Sequence, residues 1–318
     1  MIGRMTDATD APGAPAPLAT QPLVAALVDD AGLFPPTALA MDDAVARHRA
    51  DLVAAHPVHT GRFLCPASRL DELRQALREG ETVDVGVVLD QPLASLPGLA
   101  TSLVGDPRLQ LGAVELRLPL DQPLDEAVGA VVTAASALPD AVSTYVEIPL
   151  AQADDGETRA ALTAVHEAGL GAKVRCGGVT PDLFPSIDQL AAFLGAAAEL
   201  GARFKCTAGL HHALRYTDEQ TGFEHHGVVN ILVALLRAQA GADSAQVAEA
   251  LGSTDADALA AEALAADEDA QRRVRAGLVA YGSCSTGAPV EDLAALGLTS
   301  PVEVLELRDP TQQVDQQQ

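Results

Sequence analysis

The chain has 318 residues, of which 48% are hydrophobic and 3% aromatic, so its core must be filled mainly by Ala, Val and Leu. Its formal net charge of −24, from 20 basic and 44 acidic residues, repels phosphate backbones and anionic lipid surfaces. No run approaches the ~20 apolar residues that a membrane-spanning helix needs. We therefore expect neither a nucleic-acid partner nor a membrane partner.

The two ends of the chain have the composition of disordered tails. Residues 1–20 are rich in Pro and Ala and lack the apolar segment of a secretory signal, and residues 311–318 are polar. Between them, residues 21–310 suit a single barrel domain, which commonly takes ~250 residues. The four cysteines show no CxxC spacing. We predict reduced thiols that pack as small hydrophobic side chains in a cytoplasmic protein.

Short apolar segments alternate with amphipathic helical patterns along the chain, mostly at intervals of ~30 residues, the length of one βα unit. The first unit lies within residues 22–55, where LVDDAGLFPP contains the strand and MDDAVARHRADLVAAH the helix. Residues 227–276 contain more helical pattern than one unit needs, which predicts a helical insertion before the last strand. Seven further strands are predicted at 62–66, 83–90, 112–119, 143–150, 171–178, 203–209 and 277–285.

Eight βα units in one chain predict an α/β fold of the (β/α)8 TIM-barrel type. A doubly wound open sheet is the alternative, but neither AKVRCGG nor YGSCSTG matches the GxGxxG pattern of a dinucleotide site. In a barrel, alternate strand residues pack against the helices, and the others point inward. Four consecutive strands place polar residues in the inward set: Glu115, Arg117, Tyr145, Glu147, Lys173, Arg175, Arg203, Lys205 and Thr207.

Charged side chains inside a barrel are costly unless they are paired, because they lose their hydration. A structural network of ion pairs explains single members of this set, but a core selected for stability would use Val, Ile and Leu. Paired charges at the carboxyl ends of strands are typical of active sites. The sequence therefore predicts a site at the carboxyl-terminal mouth of the barrel.

Lys205 and Lys173 are the candidates for nucleophilic chemistry. A lysine in a barrel interior beside another cation is expected to have a lowered pKa and to form a Schiff base with an aldehyde or ketone. Either lysine also suits a second role, as a cation that binds an anion. Glu147 or Glu115 would transfer protons.

A second group of residues is predicted to bind the substrate. Arg117 and Arg175 suit an anionic group, because a guanidinium binds carboxylate or phosphate through two parallel hydrogen bonds. Thr207 lies on the same inward face. The turn GSCSTG at 282–287 follows the last strand, where barrels often hold phosphate, and Ser283 and Ser285 would add hydroxyl donors. We therefore expect a small anionic substrate.

Two short motifs resemble a known enzyme family. KCTAG at 205–209 resembles the K-x-[ST]-x-G strand of class I aldolases of the deoxyribose-phosphate aldolase type, and KVRCGG at 173–178 resembles their second lysine strand, K-x-x-G-G. In that family one lysine forms the Schiff base and the other lowers its pKa. The resemblance implies that Lys205 forms the imine with Lys173 as its partner. This chain departs from the family in the order of the two strands and in one extra residue before the glycines of KVRCGG.

Four of the eight histidines lie in the loop that follows the predicted strand at 203–209: His211, His212, His225 and His226. His211 or His212 is predicted to act in acid–base chemistry or to bind the substrate, because loops at this face carry function. The alternative is a metal site with Glu147 as a further ligand. Adjacent histidines rarely bind one ion together, and no HxH or HExxH motif occurs, so we assign no metal ligand and no cofactor.

The sequence thus favours an aldolase-like lyase, or a related isomerase, that acts on a small carbonyl compound through an active-site lysine. Two alternatives stay open: a metal-dependent hydrolase or lyase that uses the loop histidines, and a non-catalytic barrel that binds a small molecule. Asp29, Asp30 and Asp90 are further candidates at the mouth, although solvated or capping carboxylates explain them as well. The insertion at 227–276 suits a small cap or a contact in a homo-oligomer.

Overall fold

Eight parallel strands close into a barrel in this structure, a computed structural model that describes residues 20–119, 121–150 and 154–301. The predicted tails lie almost entirely outside the described residues. The strands of the barrel are β1 (Val28–Asp30), β2 (His59–Pro66), β3 (Val83–Val88), β4 (Leu109–Arg117), β5 (Ser143–Ile148), β6 (Gly171–Arg175), β7 (Phe204–Thr207) and β10 (Leu278–Ser283).

Neighbouring barrel strands follow the order β1, β10, β7, β6, β5, β4, β3, β2, and β2 pairs with β1 to close the ring. The predicted TIM-type barrel is therefore confirmed, and its first strand is the three-residue segment VDD within LVDDAGLFPP. In the loop after β7, a short antiparallel pair is formed by β8 (Tyr216–Thr217) and β9 (Glu224–His225).

Helices surround the barrel, and several begin at sequence-encoded caps. At Ser186 the hydroxyl accepts a hydrogen bond from the backbone N–H of Gln189, whose side chain bonds back to Ser186, a capping box that fixes the start of the following helix. No helix in the described part of the chain has the length and apolar character needed to cross a bilayer. The helices are α1 (Met41–Ala54), α2 (Leu70–Ala76), α3 (Leu96–Val104), α4 (Leu124–Ala135), α5 (Asp155–Glu167), α6 (Ile187–Leu200), α7 (Val228–Gln239), α8 (Ser244–Gly252), α9 (Ala256–Ala265), α10 (Glu268–Gly277) and α11 (Gly287–Ala295).

The main core lies between the barrel and the helices. Val114, Val146 and Val174, on three neighbouring strands, are fully buried there together with Phe204. Phe204 packs edge-to-face against Phe193 of α6, with 5.2 Å between ring centroids. Because these residues face the helices, their neighbours in sequence face the interior of the barrel.

The glycines of the two lysine motifs have a packing role. Gly209 has a φ of +74°, and a Cβ atom there would lie 2.8 Å from the carbonyl oxygen of Cys176 and 2.8 Å from the Cα of Gly177. The segments that leave β6 and β7 therefore touch backbone to backbone. A side chain at residue 209 would prevent this contact, which holds the ends of the two lysine strands together.

Gly209→Ala is expected to lower the free energy of unfolding by about 1–3 kcal/mol, because it adds both a backbone clash and a strained left-handed residue. Gly195→Ala in the middle of α6 is the matched control. A Cβ there meets nothing within 4 Å, so that substitution should stabilise by about 0.5–1 kcal/mol. Urea denaturation of both variants measures the difference. Equal effects of the two substitutions would contradict the packing role of Gly209.

Candidate active site

A buried cluster of charges lies inside the barrel, and Lys205 is one of its most buried members. The Nζ atom of Lys205 donates hydrogen bonds to Asp29 Oδ2 and to Glu115 Oε1, both at 2.5 Å. All three side chains are almost completely buried. Asp29 also accepts a hydrogen bond of 2.5 Å from the hydroxyl of Thr60, and the ring of Tyr145 lies 5.4 Å from Lys205 Nζ. Lys205 is thus enclosed by two carboxylates and an aromatic ring.

The second lysine shares a carboxylate with the first. Lys173 Nζ lies 3.0 Å from Glu115 Oε2 and 3.2 Å from Glu147 Oε2. The two oxygens of Glu115 therefore contact two different ammonium groups. Glu147 continues the chain of charges, since its Oε1 lies 3.4 Å from Arg175 Nε and 3.6 Å from Arg117 Nε.

These charges form a path from the barrel interior to the solvent. The exposed fraction of the side chain rises from 2% for Lys205 to 6% for Lys173, 28% for Arg175 and 77% for Arg117. Both lysines are therefore buried, whereas Arg175 and Arg117 reach the solvent. The guanidinium groups lie where an anion from solution would arrive first.

The register of the sheet brings the charges together. Arg117 of β4 pairs with Glu147 of β5, Glu147 pairs with Lys173 of β6, and Lys173 pairs with Lys205 of β7. Because residues paired across neighbouring parallel strands point to the same side, one inward row collects all four. Thr207 pairs with Arg175 at the carboxyl ends of their strands.

Mutual pairing fixes the protonation states of this cluster. Burial alone would raise the pKa of Glu115, but the ammonium groups of Lys205 and Lys173 outweigh it and lower that pKa to about 2. Burial likewise opposes ionisation of Glu147, yet the neighbouring cations hold its pKa below the usual value. Both residues are therefore carboxylates at neutral pH that accept hydrogen bonds from the neighbouring cations.

The pKa of Lys205 differs from the sequence expectation. Burial would lower it, but Asp29 and Glu115 raise it above its usual value of 10.5. The expectation of a lowered pKa is therefore wrong for Lys205, because the carboxylates of Asp29 and Glu115 both lie 2.5 Å from its Nζ atom and outweigh the effects of burial and of Lys173. Lys205 is a permanent ammonium group in this arrangement.

Only two lysines occur in the whole chain, against eighteen arginines, and both lie in this cluster. Apart from the histidines, every other basic residue of the chain is an arginine. A guanidinium does not lose its proton in a protein, whereas a lysine amine does and forms covalent bonds to carbonyl carbon. The count of lysines is therefore a sequence signal that points to these two positions.

The histidines of the loop after β7 do not converge on one point. His212 Nδ1 lies 3.0 Å from Asp292 of α11, so the structure does not bring this candidate to the charge cluster. His226 Nε2 contacts the carbonyl of Pro185, and His225 Nδ1 contacts the carbonyl of Gly209. His211 Nδ1 lies 3.6 Å from the Sγ atom of Cys284. Within residues 20–119, 121–150 and 154–301, no group of three or more His, Cys, Asp or Glu has the arrangement of a metal site.

The serines of the GSCSTG turn make hydrogen bonds to backbone groups close to them in sequence. Ser283 is buried, and its hydroxyl donates to the carbonyl of Ser285 at 2.6 Å. The Ser285 hydroxyl accepts a hydrogen bond from the backbone N–H of Ala288 at 3.3 Å. The predicted anion-binding role of these hydroxyls stays a prediction, and of the two serines only Ser285 contacts the first turn of α11 in the described residues.

Comparisons with known proteins show no family for this chain. No protein-family model and no curated protein matches the chain. Among similar solved structures, QR15, described as an aldolase, is 11% identical with a TM-score of 0.49 over 86% of this chain and 96% of that chain. A tetrameric deoxyribose phosphate aldolase from Aeropyrum pernix is 13% identical with a TM-score of 0.49 over 87% and 93%.

Muconate cycloisomerase from Pseudomonas fluorescens is also similar, with 16% identity and a TM-score of 0.37 over 70% of this chain and 52% of that chain. At these identities and TM-scores the likeness carries no argument about the reaction, which must be inferred from the side chains of this chain.

Proposed function

We propose that the protein is an aldolase-like lyase, or a related isomerase, in which Lys173 forms a Schiff base with a small carbonyl compound that bears a carboxylate or phosphate. The observation that carries this proposal is the position of the only two lysines of the chain, side by side inside the barrel and joined through Glu115. Arginine would supply charge at such positions. An amine that reacts with carbonyl carbon requires lysine.

Lys173 is a better candidate for the amine than Lys205. Lys205 is held at 2.5 Å by two carboxylates, and its raised pKa keeps it protonated and non-nucleophilic. Lys173 has longer contacts, 3.0 Å to Glu115 and 3.2 Å to Glu147. This assignment reverses the roles that the motif resemblance implies.

The remaining residues of the cluster have distinct roles in this proposal. Glu147 is a carboxylate 3.2 Å from Lys173 Nζ, so it is placed to accept the ammonium proton and to return it during the reaction. Arg175 and Arg117 adjoin Glu147 and are increasingly exposed, so they would bind the anionic group of the substrate. Lys205 would hold Glu115 in place and act as a positioning residue.

The charge of the cluster favours an anionic substrate. It contains three carboxylates, one each from Asp29, Glu115 and Glu147, and four cationic side chains, so it carries one net positive charge in a chain of net charge −24. An excess cation at the mouth of an otherwise acidic protein attracts an anion to that point.

The proposed chemistry is balanced without a cofactor. The neutral amine of Lys173 adds to the carbonyl carbon, the carbonyl oxygen takes up protons and leaves as water, and an imine remains. The protonated imine withdraws electrons from the adjacent carbon, so a C–C bond or a C–H bond at that carbon breaks more easily. Hydrolysis of the imine releases the product and restores the lysine.

Reduction with sodium borohydride tests this proposal. The protein should be incubated with separate members of a panel of 2-oxo acids and aldehyde phosphates, reduced and weighed by mass spectrometry. At least one compound should add its own mass less one oxygen atom, because imine formation releases water and reduction adds two hydrogens, and reduction without the carbonyl compound should add none. Saturable binding of an anion without any adduct would favour the non-catalytic barrel, and the absence of adducts across the panel would contradict the lysine mechanism.

A further inference from the structure

Cys284 differs from the other three cysteines in its surroundings. Cys65, Cys176 and Cys206 belong to the hydrophobic core, as the sequence predicts. Cys284 follows the last residue of β10 at the mouth, belongs to neither core cluster and is 7% exposed, whereas each of the others is at most 1% exposed. Cys284 is buried like the other three, as the sequence predicts, but it packs outside both hydrophobic clusters.

A histidine lies beside this thiol. His211 lies in the loop after β7, the strand next to β10. Its Nδ1 atom lies 3.6 Å from the Sγ atom of Cys284. His225 packs beside His211, with 5.5 Å between ring centroids, and stacks on Tyr216 at 4.8 Å. The imidazole of His211 is thus fixed by neighbouring rings against the thiol.

We propose that Cys284 and His211 form a second reactive site at the mouth, a thiol–imidazole pair that adds to an electrophilic carbon such as that of a small aldehyde. The thiol proton passes to His211 Nδ1 as Sγ bonds to the carbonyl carbon. The electron pair of the C=O bond moves to oxygen, which receives the proton back from His211. The product is a hemithioacetal, so no oxidant or leaving group is required.

The protonation state of His211 supports this role. Burial lowers the pKa of His211, so the imidazole is neutral at physiological pH and accepts a proton. The core thiols have no such neighbour: burial raises the pKa of Cys65 to about 12, and contact with Cys176 together with burial raises the pKa of Cys206. Because the thiolate is the nucleophile, these cysteines serve as internal controls for Cys284.

Alkylation of the native protein with limiting iodoacetamide tests the proposal. Peptide mass spectrometry at neutral pH should show Cys284 modified at least about tenfold faster than each of the other three cysteines, because among the described residues a histidine lies beside its thiol and beside none of the others. This comparison uses the wild-type chain alone. A rate for Cys284 no higher than that for Cys65 would overturn the proposal.

Two variants separate the effect of His211 from that of exposure. His211→Gln should slow alkylation of Cys284 by about tenfold or more, because the base is lost. His212→Gln changes the adjacent imidazole, which contacts Asp292 instead, and should leave the rate unchanged. An unchanged rate in His211→Gln would reject the pair even if Cys284 reacts fastest.

The aldehyde reaction is tested apart from the lysine chemistry. In Lys173→Arg protein, where residue 173 forms no imine, glycolaldehyde should slow the alkylation of Cys284, and its removal should restore the rate. If glycolaldehyde does not change the alkylation rate of Cys284, a hemithioacetal does not form there. Failure of imine formation at Lys173 in the wild-type chain would leave the result for Cys284 unaffected.

Discussion

Glu115→Gln is expected to lower the free energy of unfolding by about 3–5 kcal/mol, the cost of removing one partner from a buried ion pair. The two oxygens of Glu115 contact Lys205 at 2.5 Å and Lys173 at 3.0 Å. A neutral amide would leave two neighbouring buried ammonium groups without their shared counter-charge. Urea denaturation at pH 7 measures the loss.

The same substitution at an exposed ion pair is the control. Glu199 lies 2.6 Å from Arg159, and both side chains are more than half exposed. Glu199→Gln should change the free energy of unfolding by at most about 1 kcal/mol, because solvent screens such pairs. If Glu115→Gln costs no more than Glu199→Gln, the charge cluster does not have the pairing described.

The difference between wild type and Glu115→Gln should also depend on pH in a defined direction. The pKa of Glu115 is about 2 in the folded chain and near 4.5 when unfolded, so its stabilising contribution is complete above pH 4.5 and is lost as the pH falls toward 2. Lys205 has a raised pKa, so its contribution is complete below pH 10.5 and is lost only at higher pH. We expect a constant difference between pH 5 and 10 that shrinks in acid, measured by urea denaturation at each pH.

Lys173→Arg should abolish the borohydride-trapped adduct completely. Arginine keeps a positive charge between Glu115 and Glu147 but forms no imine with a carbonyl compound. The adduct mass that the wild-type chain gains should therefore be absent, while thermal denaturation should show a folded protein. Intact-mass spectrometry after reduction measures the result.

Arg175→Gln is the matched control for this variant, because it alters a neighbouring cation of the same strand and leaves both amines in place. It should weaken substrate binding, so that trapping requires more of the carbonyl compound, yet the adduct should still form at saturation. A full adduct in Lys173→Arg would show that another amine carries the imine.

The barrel and the position of its charges follow from the sequence, because alternation along β4 to β7 records which side chains face inward. Glu147 and Lys173, predicted as inward residues, do pair across β5 and β6. The contact between Lys205 and Asp29 does not follow from this alternation. Asp29 lies on a strand of three residues, VDD, which is too short to show alternation.

The loop residues were harder to place, since a chain that has left its strand no longer follows a two-residue period. His211 and His212 are adjacent, yet one contacts Cys284 of the turn after β10 and the other Asp292 of α11. Ser283, predicted to bind an anion, donates its hydroxyl to the carbonyl of Ser285, a local contact that no strand period predicts. Periodicity therefore predicts which strand residues line the inside of the barrel. It does not predict the contacts of the loop residues at the mouth, which require the three-dimensional structure.

Peptide mapping of the reduced wild-type adduct tests the central claim most directly. The chain has only two lysines, so the added mass must lie at Lys173, at Lys205 or at the terminal amine. The exposure of the cluster and the raised pKa of Lys205 predict that the mass lies on Lys173, with loss of tryptic cleavage after that residue. Added mass on Lys205, or on neither lysine, would contradict the account.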